Sequence, residues 1–377
     1  MMIWLFGRHF SPGLSGHGVW NRAHFRLHTP QASEKFISTS TRPFTFHVGA
    51  SWAAKPPDPK ATRFHTPFPS NSCIGKWRDG MLTLRQNNMS KTAGEDFFYV
   101  TDVSCVYLSL VPKNSISGVA LGVADGVGGW VDSGIDPSIF SQSLMHYAYR
   151  YSRDSWAGEP ETDPTQDQGD LNQVEGCELT PYQCLDLAYQ SVLRDGQVKA
   201  GSSTACLISL NSASGVLRAA NLGDSGFMII RSSMVIHKQR AQTHFFNCPL
   251  QLTKLPSSSS DDTHYSLDSP SSAAYYETRL RDGDIVVVYT DGLSDNVFPN
   301  EIAKICLLAG RSGGLEDDRI QSMAEAIVRY ALSCMGDSKR MSPFSQEAKR
   351  KGMIYRGGVS VLIFFCRQYS IAALRGR

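Results

Sequence analysis

An aspartate at the end of a buried strand constrains this chain more than any other feature. Residues 119–124 are almost all apolar and predict a buried strand, which ends at Asp125 and the glycine-rich turn beginning at Gly126. Burying an unpaired carboxylate costs several kcal/mol, comparable with the stability of a whole domain. A cation or a set of hydrogen-bond donors is therefore expected beside Asp125. Taken alone, the Asp-Gly pair also fits a simple turn.

The same pattern recurs twice further along the chain. Asp291 follows the apolar run 285–289, with Asp295 four residues later, and Asp224 lies beside glycine between two apolar runs. These strand-end aspartates together predict one cluster of carboxylates. Two alternatives stay open, because Asp224 could close a turn with the serine after it and Asp295 could cap the following helix.

Composition predicts a globular protein. The 377 residues are 41% hydrophobic and 19% charged, which is enough apolar material for a large core. A formal charge of +2 neither favours nor excludes nucleic-acid binding, and no nucleic-acid partner is predicted. The nine cysteines have no regular spacing and several lie in apolar runs, so we expect reduced, buried thiols rather than disulfides or a zinc site.

The first 70 residues differ in composition from the rest. There is no acidic residue through Ala32, whereas Arg8, Arg22 and Arg26 stand among serine, histidine and aromatic residues. This composition is typical of a mitochondrial transit peptide, and the proline-rich stretch 55–69 is typical of a linker. We therefore expect 1–70 to be a largely disordered leader and linker and 71–377 to be the folded domain. No apolar run is long enough to predict a membrane span.

Within the domain, strands and helices alternate in blocks rather than in regular βαβ units. This order favours an α+β fold of layered antiparallel sheets. Four short runs between residues 201 and 238 predict an antiparallel meander, and the acidic segment 157–178 predicts a loop insertion. Helices are predicted at 137–151, 181–192, 299–308 and 318–334, and a final strand at 359–365.

Four motifs in the order ADGVGG, GSSTA, NLGDSG and TDGLSDN resemble the metal-dependent type 2C (PPM) serine/threonine protein phosphatases. The resemblance covers residues 94 to about 365. It implies a four-layer α/β/β/α sandwich with two central antiparallel sheets. HFFNCPLQL at 244–252 and MSPFSQEA at 341–348 further resemble the mitochondrial branch of that family. The resemblance thus implies a monomer in the mitochondrial matrix that acts on phosphorylated mitochondrial proteins.

The resemblance also implies a centre of two Mg²⁺ or Mn²⁺ ions with a weaker third ion, which suits a chain offering oxygen ligands. Asp125 would bridge both ions, with the Gly126 carbonyl on one of them, and Asp291 would bind the other. Asp125 and Asp291 are thus the predicted catalytic residues, activating a water without a protein nucleophile. The full predicted ligand set is Asp96, Asp125, Gly126, Asp224, Asp291 and Asp295, with Glu95 as a further candidate that would hold ligated water together with Asp96.

Two features depart from the family pattern. The family carries an acidic pair before its last strand, whereas here Gly357-Gly358 leads directly into Val359. The phosphate-binding arginine expected before the first strand has only Arg85 and Lys91 as weak candidates. His146 and His244 are interpreted as packing or surface residues.

Three functions are therefore compared. The first is an active protein serine/threonine phosphatase, and the second is a catalytically impaired relative that binds phosphoproteins. The third is a phosphohydrolase with an aspartyl nucleophile, which the spacing in DGLSD disfavours. P-loop nucleotide binding is excluded because no GK[ST] follows a glycine-rich turn.

Overall fold

The computed structural model describes residues 2–9, 44–54, 67–83, 91–104, 116–153, 179–212, 214–256, 268–311 and 313–355. These residues form two central sheets with helices on their outer faces. Four predicted features fall outside the described residues: positions 55–66 of the linker predicted at 55–69, the loop insertion 157–178, the last strand 359–365, and Gly357-Gly358, after which the acidic pair is missing.

Both central sheets have five antiparallel strands. The first sheet contains, in spatial order, β2 (Thr45–Trp52), β1 (Met2–His9), β14 (Ile285–Tyr289), β8 (Gly226–Arg231) and β9 (Met234–Lys238). The second contains β13 (Ala274–Arg279), β7 (Val216–Leu222), β6 (Ala205–Asn211), β4 (Ile116–Ala124) and β3 (Phe97–Ser104). Two short pairs lie outside them, β5 (Gly201–Ser203) with β12 (Leu252–Lys254) and β10 (Thr243–Phe245) with β11 (Cys248–Pro249).

The helices cover the outer faces of the two sheets. On the second sheet lie α1 (Cys73–Thr83), α2 (Pro137–Arg153) and α3 (Pro181–Arg194). On the first lie α5 (Pro299–Ala309) and α6 (Glu316–Gly336). The short helices are α4 (Asp291–Ser294) and α7 (Pro343–Arg350). One apolar core includes Leu207 and Phe227, which come from different sheets. The α/β/β/α sandwich and the four predicted helices, α2, α3, α5 and α6, are confirmed, whereas α1 is not among the predicted helices.

The predicted helix starts have the expected caps. Asp136 accepts hydrogen bonds from the Ser138 N–H at 3.0 Å and its hydroxyl at 2.7 Å, which fixes the start of α2. Thr180 and Gln183 form a capping box before α3, with a proline at its first position. Both helices therefore enter the fold at defined points.

The predicted four-run meander is wrong in one respect. β7 pairs with β6 and β13 in the second sheet, whereas β8 pairs with β14 and β9 in the first. The chain therefore crosses between the sheets at residues 223–225. β7 and β8 are mostly buried on both faces, as strands inside a sandwich are, so no alternation of polar and apolar residues indicates to which sheet each belongs. The crossing places Asp224 between the two sheets.

The predicted domain boundary at residue 71 also differs from the structure. Within β2, Ala50 and Trp52 are each 2% exposed, and the Ala50 backbone exchanges hydrogen bonds of 3.0 and 2.8 Å with the Gln321 side chain. Met2–His9 is the strand between β2 and β14. The folded domain thus includes parts of the segment expected to be disordered. Residues 10–43 lie outside the described residues, and the transit peptide stays a prediction.

Two other expectations concern the described cysteines and helices. Six cysteines are described, and all are free thiols, of which five are buried and Cys73 is exposed. The expected burial of the cysteines is thus confirmed for five of these six. Within the described ranges, no helix is both long and apolar enough to cross a bilayer.

Candidate metal centre

Asp125 follows β4, and its backbone is held by the loop after β5. The Asp125 N–H donates to Thr204 Oγ1 at 3.2 Å, and the Thr204 N–H donates to the Asp125 carbonyl at 3.0 Å. The Ser203 hydroxyl donates to the same carbonyl at 2.8 Å. The GSSTA segment therefore fixes the backbone of Asp125 and leaves its carboxylate to other partners. In the sequence this segment is one of the four motifs of the family resemblance, and its residues are not among the predicted site residues.

Gly126 occupies a position where no side chain fits. A Cβ atom there would lie 2.6 Å from the carbonyl oxygens of both Glu95 and Pro137. The Gly126 N–H donates to the Glu95 carbonyl at 3.3 Å, and the Ser141 hydroxyl donates to the same carbonyl at 2.6 Å. The turn after β4 is thereby held against the Glu95-Asp96 segment and the start of α2.

Asp96 and Asp291 approach each other from different sheets. Asp96 immediately precedes β3 of the second sheet, and Thr290 follows β14 of the first. The Thr290 hydroxyl donates to Asp96 Oδ2 at 2.9 Å, and the two side chains are 0% and 4% exposed. Since Asp291 is next to Thr290, this hydrogen bond brings the predicted ligands of both sheets to one place.

Asp224, at the crossing between the sheets, faces the same carboxylates. Burial, followed by the negative charges of Asp291 and Asp96, raises the pKa of Asp224 to about 8, against the opposing effect of N–H groups at 224 and 225. Thr204 Oγ1 and Ser225 Oγ lie 2.7 Å apart, which ties the crossing to the loop that holds Asp125. The Asp224 side chain thus accepts hydrogen bonds from the backbone N–H groups at 224 and 225, as a turn residue does, and also lies in the carboxylate cluster.

Asp295 follows Asp291 by one helical turn. Its N–H donates to the Asp291 carbonyl at 2.8 Å, and its carbonyl accepts a 3.1 Å hydrogen bond from the Phe344 N–H at the start of α7. The next helix, α5, has Phe298 as its N-cap. Asp295 therefore does not cap that helix, and the alternative interpretation of this residue is wrong.

The donor set fits a hard divalent cation. All five of these aspartates, at 96, 125, 224, 291 and 295, are at least partly buried, and like charges in a buried site repel unless a cation lies among them. Carboxylate oxygens are the ligands that Mg²⁺ and Mn²⁺ prefer. In the described ranges, no three His, Cys, Asp or Glu side chains already form a coordination group.

The remaining candidates lie elsewhere. His146 is buried against Trp77, with ring centroids 5.0 Å apart, and His244 pairs with Asp268 at 2.9 Å. Lys91 is exposed, and Arg85 lies outside the described residues. The residues that sequence reasoning missed are Thr204, Thr290 and Ser225. Their signal is a small hydroxyl residue beside each strand-end motif, a pattern too common to be assigned without the fold.

The chain resembles known phosphatases in sequence and in structure. It is 35% identical over 253 residues to "Protein phosphatase PTC7 homolog fig" of Drosophila willistoni, covering 67% of this chain and 71% of that protein. It is 35% identical over 254 residues to the human "Protein phosphatase PTC7 homolog", covering 66% and 76%. The structure of the photosystem II phosphatase PBCP matches with a TM-score of 0.51 and 26% identity, over 71% of this chain and 88% of that one. No family profile matches the chain.

Proposed function

Because this chain belongs to the PTC7 protein phosphatases of the PP2C family, we propose that it removes phosphate from phosphoserine and phosphothreonine of proteins in a reaction dependent on Mg²⁺ or Mn²⁺. The observation that supports this most directly is that Asp96 and Asp291 lie beside Asp224. Burial and the negative charges of these two residues raise the pKa of Asp224. Burying several carboxylates together destabilises the folded chain, and divalent cations bound among them best explain why the chain keeps such a cluster.

The chain's own residues would hold the centre in a fixed arrangement. Asp125 would be the ligand shared by two ions, Asp291 would bind one of them, and Asp96 would orient ligated water, with Asp224 and Asp295 at a weaker third site. When bound, the ions supply Lewis-acid activation of water and neutralise phosphoryl oxygens. Thr290 would orient the Asp96 carboxylate, and Thr204 would fix the backbone that carries Asp125, through the contacts described above. No protein nucleophile is needed.

Hydrolysis of p-nitrophenyl phosphate by the full chain tests this proposal. We expect turnover with Mn²⁺, less with Mg²⁺ and none with excess chelator. Turnover that is unaffected by chelator would contradict the metal-dependent mechanism. No turnover under any of these conditions would support an impaired relative that only binds phosphoproteins.

The impaired relative is the second candidate because of the sequence Gly357-Gly358-Val359, where the family pattern has an acidic pair. A site that lacks one anionic oxygen binds a hard cation less tightly. We therefore expect an unusually high requirement for Mn²⁺. Inserting Lys-Val-Asp-Asp between Gly358 and Val359 should lower the Mn²⁺ concentration at half-maximal rate. Thermal melting recorded beside it separates a gain in stability from a gain at the site.

The location and substrates are proposed on the composition of residues 1–70 and on the motifs at 244–252 and 341–348. We place the protein in the mitochondrial matrix, as a monomer acting on phosphoproteins there. Residues 1–70 fused to a fluorescent reporter should direct its import into mitochondria. A reporter that stays diffuse in the cytosol would remove the basis for this placement.

A further inference from the structure

Three neighbouring strands of the first sheet, β14, β8 and β9, each have one terminus at the end of the sheet where the carboxylates lie. Tyr289, the last residue of β14, pairs with Gly226, the first residue of β8. Lys238, the last residue of β9, pairs with Met228 two residues further along β8. The antiparallel register therefore brings the end of β9 to the same edge as Asp224, which directly precedes β8.

The segment after β9 continues along this edge. The Gln239 N–H donates to the Phe227 carbonyl at 2.8 Å, and the Gln242 N–H donates to the Gly223 carbonyl at 2.9 Å. Arg240 and Ala241 lie between these two anchors. The backbone carrying Arg240 is thus fixed beside the crossing that holds Asp224.

A cleft of about 340 Å³ opens here, lined by Asp224, Lys238, Gln239, Arg240, Ala241, Tyr289 and Ser294. Asp224 is the residue it shares with the candidate metal centre. The Tyr289 side chain is 1% exposed, and its hydroxyl makes no hydrogen bond to any described residue. Burial lowers the pKa of Lys238 and the charge of nearby Asp295 opposes this effect. The Arg240 side chain is exposed. Two cations and an unused hydroxyl therefore border one cleft.

We propose that this cleft binds an anionic side chain next to the phosphorylated residue of the substrate. The inference rests on the proposed phosphatase function and assigns a substrate preference to it. A substrate whose phosphate lies at the carboxylate cluster would place a neighbouring residue in the cleft, because Asp224 borders both. Arg240 offers the planar fork that binds a carboxylate or a second phosphate, and Lys238 adds a compact charge. The chain would thereby favour acidic phosphorylation sites.

The test compares phosphothreonine peptides that carry a single Asp, a single Lys or only Ala at each flanking position in turn. One further peptide carries a second phosphate there, which separates a carboxylate from a phosphate as the ligand. Wild-type kcat/KM should be about fivefold to tenfold higher for the best acidic peptide than for the Ala peptide, chiefly through KM. This ratio should fall as salt concentration rises.

Charge reversal gives the decisive variant. The double variant Lys238→Glu, Arg240→Glu should favour the Lys peptide over the Asp peptide, a result that misfolding cannot produce. Lys304→Ala on the exposed surface of α5 is the matched control and should keep the wild-type preference. Hydrolysis of all peptides at equal rates by the wild type, or an acidic preference that survives charge reversal, would overturn the inference and leave the phosphatase function standing. Failure of the wild type to hydrolyse any peptide or p-nitrophenyl phosphate would overturn the proposed function itself.

Discussion

At the scale of single residues, Gly126 gives a sharp test of how the turn after β4 is held. Replacing it with Ala would put a methyl group 2.6 Å from two backbone carbonyl oxygens, which cannot move as a flexible side chain could. We expect Gly126→Ala to lose about 1–3 kcal/mol of unfolding free energy, and also activity, because Asp125 moves with the turn. Gly129→Ala is the control, since nothing lies within 4 Å of a Cβ there. Equal melting temperatures and rates for the two variants would contradict this packing.

Thr290 tests whether a hydroxyl group positions Asp96. Thr290→Val keeps the shape but removes the donor to a buried carboxylate, which we expect to cost about 1.5–3 kcal/mol of stability. The Mn²⁺ concentration at half-maximal rate should rise, because Asp96 loses its orientation. Thr290→Ser keeps a hydroxyl and should restore much of the wild-type metal dependence. Metal titration of p-nitrophenyl phosphate hydrolysis measures both variants, and an unchanged titration in Thr290→Val would refute the positioning role.

The residues bearing carboxylates could be predicted from the sequence, but the residues supporting them could not. Asp125, Asp224 and Asp291 stand out because a charge after an apolar run needs a partner. Thr290 and Asp96 are 194 positions apart, and Thr204 and Asp125 are 79 positions apart. Such contacts depend on which sheet each strand joins, and the local sequence pattern around a strand does not indicate this.

At the scale of elements, the helices were predictable and the assignment of strands to sheets was not. Pro137–Arg153 and Glu316–Gly336 have apolar residues at helical spacing, and α2 also has an aspartate cap at its start. The strands β7 and β8 have nearly continuous burial, so their pattern fits either sheet. The crossing at 223–225 was therefore missed.

His146 on α2 predicts a pH dependence of stability. Burial, with the charge of Arg150 adding and that of Asp195 opposing, lowers the pKa of His146 to about 4 in the folded chain. His146 in the unfolded chain takes up a proton near pH 6.5. The contribution of neutral His146 to the free energy of unfolding is therefore complete above about pH 6.5 and is lost as pH falls toward 4. Between pH 7 and 5 this loss amounts to about 2 kcal/mol.

The matched variant His146→Gln stays neutral over this range. Chemical denaturation at pH 7 and at pH 5 should therefore show wild-type stability falling more steeply than that of the variant. Parallel losses in the two proteins would mean that His146 takes up its proton equally well when folded, which would contradict its burial at 5% exposure.

At the scale of the whole molecule, Trp52 tests where the folded domain begins. Its ring is 2% exposed and lies 4.9 Å from that of Phe98, so the segment before residue 71 contributes to the core. We expect Trp52→Ala to cost about 3–5 kcal/mol of unfolding free energy. Leu308→Ala, at a side chain that is 65% exposed, should cost less than about 0.5 kcal/mol. A thermal melt in which Trp52→Ala behaves like Leu308→Ala would favour the disordered leader expected from composition.

That expectation failed for a physical reason. An acid-poor, arginine-bearing composition is typical of an import signal, but composition does not exclude that part of the same segment pairs as a strand. Thr45–Trp52 gains its order from α6 and from the second sheet's Phe98, which are far away in sequence. The layered α+β architecture was predictable because it depends on the order of elements along the chain, which the motifs and periodicities preserve.

The most direct test of the account measures Mn²⁺ binding and turnover together in the wild type, Asp125→Asn and Asp291→Asn. Calorimetric titration with Mn²⁺ should show binding to the wild type that is strongly weakened in both variants. The metal-free variants should melt at temperatures no lower than the metal-free wild type, because each substitution relieves repulsion among buried carboxylates. Turnover of p-nitrophenyl phosphate should be abolished in both. Two results would contradict a metal centre built around Asp125: binding of Mn²⁺ by Asp125→Asn as tight as by the wild type, or a rate in this variant above about a tenth of the wild-type rate. A tenfold loss of rate raises the activation barrier by only ~1.4 kcal/mol.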